Sequence, residues 1–315
     1  MADHGTAIEW TQAPGFKGET WNPVTGCDRV SPGCAHCYAL ELAGRLKRMG
    51  QYRYQRDGDP KTSGPGFGVT IHSDRLGEPQ RWRKPRMVFV NSMSDLFHDE
   101  ISDFFIAEVF AVMSIAEVHI FQVLTKRPER MRDLLSDAGF LGRVDRARAV
   151  RGYCEPTVWP IPNVWLGVTI ENRRFVHRAD LLRETPAAVR FISAEPLLGP
   201  LVYPTDLGTF HEGQPDGHEL GGDPYEPCWE DGSTEPADLD LEGIDWLITG
   251  GESGPNHRRF DPQWALDLQF RCQIESTAFF HKQNGGRTPK AGGRELDGRT
   301  WSEFPAALST SQRAA

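Results

Sequence analysis

Short apolar, β-branched runs recur along the chain, and each closes on polar or glycine-rich residues. They occupy residues 87–93, 119–125, 164–170, 189–194, 244–250 and 278–283, with a weaker seventh at 20–26. Continuous apolar runs of this length suit strands buried on both faces. Helical patterns lie between them. Residues 35–49 set Tyr38, Leu42, Leu46 and Met49 on one stripe and stop at Gly50. Ser102 or Asp103 caps a helix carrying Phe105, Val109, Val112 and Ala116. Pro128 sits in the first turn of a helix over 129–136. Asp261 followed by Pro262 opens another, with Trp264, Leu268 and Cys272. Alternating strand and helix predicts an α/β fold on a parallel sheet.

The charge changes the picture once it is located. Thirty-five Lys and Arg oppose forty-four Asp and Glu, giving −9 over 315 residues. Twelve of the acids fall within 204–243, which has no Lys or Arg. Outside it, thirty-five basic residues face thirty-two acids, a charge of +3. The acidity thus describes an insertion, and the body is mildly basic. Its place before the last strands predicts a lid or a mimic of an anionic ligand at the site. Residues 53–85 form a second stretch too long for an ordinary connection. We read one barrel-like domain over 1–295, holding the acidic insertion 204–243, and a C-terminal tail over 296–315. No run approaches the roughly 18 apolar residues of a membrane helix, so no membrane partner is expected. The first residues lack a signal pattern, so a cytoplasmic location is expected.

The predicted strands end on unusual polarity. Asn91, Ser92 and Asp95 follow one, and Thr125, Lys126 and Arg127 another. Glu171 and Asn172, then Glu195, then Gly250, Gly251 and Glu252 follow the next three, and Lys282 lies at the last. In a parallel barrel all these ends share one face, which is where such folds hold their sites. The two glycines before Glu252 would let a ligand approach the backbone.

Three of the six cysteines, Cys27, Cys34 and Cys37, stand within eleven residues. Gly26, Pro32 and Gly33 bend the chain between them. Six cysteines in a cytosolic chain of this size do not read as a disulfide framework. Thiolates are the soft ligands that zinc and iron–sulfur clusters select. A zinc site would need a fourth donor, such as His36, His72 or Cys154. A cluster held by three cysteines keeps one iron open for a ligand.

The stretch from Thr20 to Cys27, continued by Ser31 to Ala39, resembles the phage-associated three-cysteine-motif family of uncharacterised proteins. That family is in turn similar to radical S-adenosylmethionine (SAM) enzymes. Residues 91–97, 124–128, 165–169, 193–197 and 250–254 look like its other block motifs. The resemblance implies a partial (β/α) barrel of TIM-barrel-like radical SAM architecture. It implies a [4Fe–4S] cluster on Cys27, Cys34 and Cys37, with SAM bound at the open iron. It further implies that SAM is cleaved to a 5′-deoxyadenosyl radical, for which a reductant must supply an electron. Asn91, Ser92, Asp95, Glu171, Asn172, Glu195, Gly250, Gly251 and Glu252 are then the expected cofactor-binding residues. The first cysteine gap is six here rather than the usual three. His36 stands where an aromatic residue is usual, and the glycine–glycine–acid motif follows a late strand.

A nucleic acid is the expected substrate, met through a basic surface at Lys126, Arg127 and Arg130 and extended by Arg132, Arg143, Arg146, Arg148 and Arg151. A protein partner is a further expectation. The competing reading is a zinc-stabilised α/β binding module for nucleic acid or protein, without radical chemistry. A third is a metal-independent hydrolase using Glu171 and Glu195.

Overall fold

The computed structural model describes residues 5–202 and 238–308. Most of the acidic insertion, 204–237, lies outside the described residues, and so does the role expected of it.

Seven strands build the main sheet: β1 (Lys17–Trp21), β2 (Arg86–Val90), β3 (Ile120–Thr125), β4 (Val164–Thr169), β5 (Val189–Ala194), β6 (Trp246–Gly250) and β7 (Ala278–Gln283). Every neighbouring pair is parallel, and the strands pair in chain order. The sheet curls into a half-barrel flanked by helices. Right-handed crossovers between successive parallel strands keep returning helices to the same face, which drives this winding. An open doubly wound sheet would need a point where the order reverses, and there is none among the described strands.

The helices are α1 (Tyr38–Arg48), α2 (Asp103–Ile115), α3 (Pro128–Ser136), α4 (Ala138–Val150), α5 (His177–Glu184) and α6 (Pro262–Glu275). Ser102 caps α2 by accepting from Phe105 N at 3.3 Å. Asp261 caps α6 through Gln263 N at 3.0 Å, as the Asp-Pro pair predicts. Helix α2 is buried nearly all round because α4 covers the side that the sheet does not. The larger core lies between the sheet and these helices.

The inner face of the half-barrel has its own core. Met87, Ile120, Trp165, Val189, Phe191, Trp246, Ile248 and Phe280 line it. Trp10 closes it from one end of the chain, and Phe304 and Leu308 from the other. The Trp10 ring lies 4.8 Å from Phe89 and 6.4 Å from Trp246. Residues 296–308 are therefore part of the fold, not a tail: Leu296, Trp301 and Leu308 are buried, and Trp246 Nε1 donates to Glu303 O at 2.9 Å. Aromatic bulk on the inner strands leaves a surface that only a returning segment can cover.

Two local expectations change. The first strand runs over Lys17–Trp21 and stops before Pro23, whose missing N–H cannot continue a ladder. Helix α1 begins at Tyr38, three residues later than its apolar pattern predicts. Its predicted core stripe points the other way. Ala39 and Ala43 are buried against Phe67 and Met93, while Tyr38, Leu42 and Met49 are exposed. Small residues let the helix sit close to Phe67 and Met93, and the large ones are left outside.

Candidate functional site

The 27–37 loop follows the end of β1 and lies across the C-terminal ends of the strands. Three strand-end acids, directly or through an arginine, hold it there. Asp95, after β2, accepts from Thr125 Oγ1 at 2.7 Å, Phe97 N at 3.0 Å and Lys126 N at 3.0 Å. It also pairs with Arg127 at 3.2 Å. Arg127 in turn reaches Cys27 Sγ and Asp28 O, each at 3.4 Å.

Glu171, after β4, is wholly buried and is the second anchor. Ser31 Oγ donates to it, Arg178 lies at 3.2 Å and Lys126 Nζ at 3.5 Å. A Cβ on Gly33 would fall 2.5 Å from its Oε1, so only glycine lets the loop lie this close.

Glu252, after β6, is the third. It takes His36 Nδ1 at 2.9 Å and Arg258 through N, Nε and Nη2 at 2.9, 3.1 and 2.7 Å. Arg258 Nη2 also donates to Pro32 O at 3.0 Å. Burial alone would raise the Glu252 carboxyl. The Arg258 and His36 hydrogen bonds outweigh burial and hold it below the usual carboxylate range.

The thiols sit under this clamp. Cys27 and Cys37 pack on the Ala39, Ala43, Phe67 and Met93 cluster. Burial pushes the Cys27 thiol up to about 12, with Asp95 adding to the rise and Arg127 opposing it. Burial also raises Cys37, which Lys126 counters. Cys34 acts electrostatically on both neighbours and has Ser31 Oγ at 3.7 Å. The three sulfurs do not lie within 4.8 Å of one another as a set. Of the isolated thiols, Cys272 is buried and Cys154 exposed.

Among the described residues, one set of three metal-type donors does lie that close: Asp28, His98 and Glu100. His98 Nδ1 accepts from Glu100 N at 3.2 Å, so Nε2 keeps the proton it gives Asp28 at 3.0 Å. That ring therefore has no lone pair to spare for a metal.

The other expected residues divide by how far they are already engaged. Asn91 is buried at φ 59°, and neither atom of its amide has a hydrogen-bond partner among the described residues. Ser92 Oγ pairs with Asn22. Asn172 caps the next turn through Arg174 N at 3.1 Å. Glu195 pairs with Lys282 at 3.0 Å and has only a long contact to Ser193, 3.4 Å. Gly250 makes room for Glu195: a Cβ there would fall 2.7 Å from its Oε1. A Cβ on Gly251 would meet Asn284 O at 2.5 Å, so this glycine serves close backbone packing.

Of the expected basic surface, Lys126 and Arg127 turn inward to Glu171, Asp95 and the loop. Arg130 donates to the carbonyls of Phe97, His98 and Ile101 and pairs with Asp103 at 3.1 Å. Arg132, Arg143 and Arg151 have carboxylate partners, and Arg148 is buried beside Ser114. Ser31, Arg178 and Arg258 complete the clamp. Nothing in the spacing of the chain signals them.

The fold and site together define an α/β half-barrel with a three-cysteine loop clamped over the ends of its parallel strands. The chain matches the family described as Protein of unknown function (DUF5131) over residues 5–305, and it belongs to that family. Neither curated proteins nor solved structures give a match to the chain. Among the described residues no helix is long and apolar enough to cross a membrane.

Proposed function

We propose that this protein is a radical SAM-type iron–sulfur enzyme, with Cys27, Cys34 and Cys37 holding a [4Fe–4S] cluster. The observation that carries the reading is the clamped loop: Asp95 with Arg127, Glu171 and Glu252 fix three thiols at the mouth of a parallel half-barrel. That mouth is where barrel folds place their chemistry. The donor set fits the group. Three thiols are soft ligands, and three is the number that leaves one iron open. Around a single zinc ion, thiolate sulfurs would stand about 3.7 Å apart, from a Zn–S distance of about 2.3 Å. As a set the three sulfurs stand wider than that.

A bound cluster supplies the electron that splits the sulfonium of SAM and yields a 5′-deoxyadenosyl radical for hydrogen abstraction. The chain supplies position and charge. Arg127 beside Cys27 and Lys126 near Cys37 favour the thiolate forms. The raised Cys27 value means that ligation displaces a proton from a neutral thiol. Asn91 and Glu195 are the strand-end groups with most capacity left for an incoming cofactor. Glu171, Glu252 and Asp95 act on the loop, and so position the thiols.

Purification without oxygen tests this. The expected protein is brown, carries about four irons per chain, and forms 5′-deoxyadenosine from SAM once dithionite is added. Cys34→Ala should lose both signals. A colourless protein with one zinc per chain would sink the proposal and favour the binding-module reading.

A further inference from the structure

A groove of about 690 Å³ runs along the outer face of α1, beside the cysteine loop. Arg29, Arg45 and Arg48 line it, together with Tyr38, Leu42 and one carboxylate, Glu41. All three arginines are exposed. None has an ion pair or a side-chain hydrogen-bond partner among the described residues. That sets them apart from the paired arginines of α3 and α4 on the far side of the mouth. An uncompensated cation field of this kind attracts a polyanion.

The groove also carries an aromatic platform. Tyr38 is 57% exposed, yet its hydroxyl is not free, since it donates to Ser92 O at 2.6 Å. The ring is thus held at its polar tip while much of its surface stays open. Leu42, one turn further on, is 39% exposed and extends the apolar strip. Arg45 and Arg48 follow on the same side, about 10 and 15 Å along the helix axis from Tyr38 at 1.5 Å per residue. Arg29 sits inside the cysteine loop itself, between Cys27 and Cys34. Cations spaced along a groove beside a fixed aromatic face match the backbone and bases of a single strand. A duplex keeps its bases stacked and has no use for the ring.

We propose that this groove binds single-stranded nucleic acid. Arg29, Arg45 and Arg48 take the phosphates, and Tyr38 stacks a base at the edge of the mouth. The inference makes no use of the thiols as ligands, so it stands apart from the iron proposal. Iron content and strand binding are read from the same preparation, and each can fail alone.

The test is fluorescence anisotropy with the full chain and labelled 12-nucleotide single strands of RNA and DNA. Competitors are the matching duplex and poly-glutamate. Binding is expected to fall with salt. Arg29→Glu/Arg45→Glu/Arg48→Glu should abolish it, and the corresponding triple Gln variant should flatten the salt slope by about 2, at roughly 0.7 per phosphate contact. Tyr38→Ala should weaken binding about tenfold, with Tyr38→Phe close to the parent. Arg132→Glu/Arg143→Glu should bind as the parent does. The circular dichroism of each variant checks folding. The proposal is overturned if neither strand binds at low salt, if poly-glutamate or duplex competes as well as the single strand, or if the α3–α4 variant loses as much affinity as the groove variant. A preference between RNA and DNA identifies which strand is the ligand.

Discussion

On the α3 and α5 side of the mouth, Lys126, Arg127, Arg130 and Arg178 lie close together, and each is spent on a carboxylate or on backbone carbonyls. On the α1 side, Arg29, Arg45 and Arg48 line a groove with one acid among them. The sequence advertises Lys126, Arg127 and Arg130 of the first group as a dense basic run, and hides the second group, three arginines scattered over twenty residues. A run of like charge reports composition, whereas the field at a surface depends on what each charge is paired with. The committed cations hold the site together, and the free ones face outward.

Three experiments press on that contrast. The largest effect is expected at the buried pair of Arg178 and Glu171, at 3% and 0% exposure. Burial pulls Arg178 down from its ordinary value and Glu171 pulls it back up. Arg178→Ala leaves the buried carboxylate to Ser31 and the longer Lys126 contact alone, and should cost up to about 3–5 kcal/mol in urea unfolding. Adding Glu171→Gln should restore part of that loss. If the single variant unfolds at the parent's midpoint, the pair is not structural.

The second effect is a pH dependence. Glu252 is held below its ordinary value by Arg258 and His36, so between the folded and unfolded values the unfolded chain binds more protons. Its contribution is present above the unfolded value and is lost as pH falls through the folded one. Arg258→Ala should therefore flatten the acid side of the stability profile below the usual Glu value. An unchanged slope would show that the clamp does not set the Glu252 charge.

The smallest effect is expected on the α1 face. Arg45→Ala and Arg48→Ala remove charges with no partner among the described residues and should alter stability by no more than about 0.5 kcal/mol. Thermal melts of both variants check this. A drop of several degrees would mean that these arginines have structural partners after all, and the contrast between the two sides would fail.

Much of the sheet was legible because parallel strands buried on both faces read as unbroken apolar runs; β2 to β7 each fall within or beside such a run. Strand β1 was not, since it is an edge strand spelled Lys-Gly-Glu-Thr-Trp. Helix α4 was not among the helices read from the sequence, because glycines and arginines break up its apolar positions. Of the site, the cysteine loop and the strand-end acids were visible. What the acids do was not: Glu171 reaches Ser31 across 140 positions, and Glu252 reaches His36 across 216. Such pairings arise only when the strands curl and bring their ends to one mouth.

The inner core has a consequence for how the chain is made. Trp246 packs against Trp10 and also against Phe304, its ring 5.3 Å from the latter. Synthesis runs from the N-terminus, so Trp10 emerges early and waits for strands nearly the whole chain away. Until residues 301–308 arrive, Trp246 and Phe280 lack the Phe304 ring that packs on them. Contacts of such long separation are slow to form, and the aromatic surface they leave open in the interval is prone to stick to other chains. A nascent chain halted before residue 300 should therefore depend on chaperones far more than the finished one.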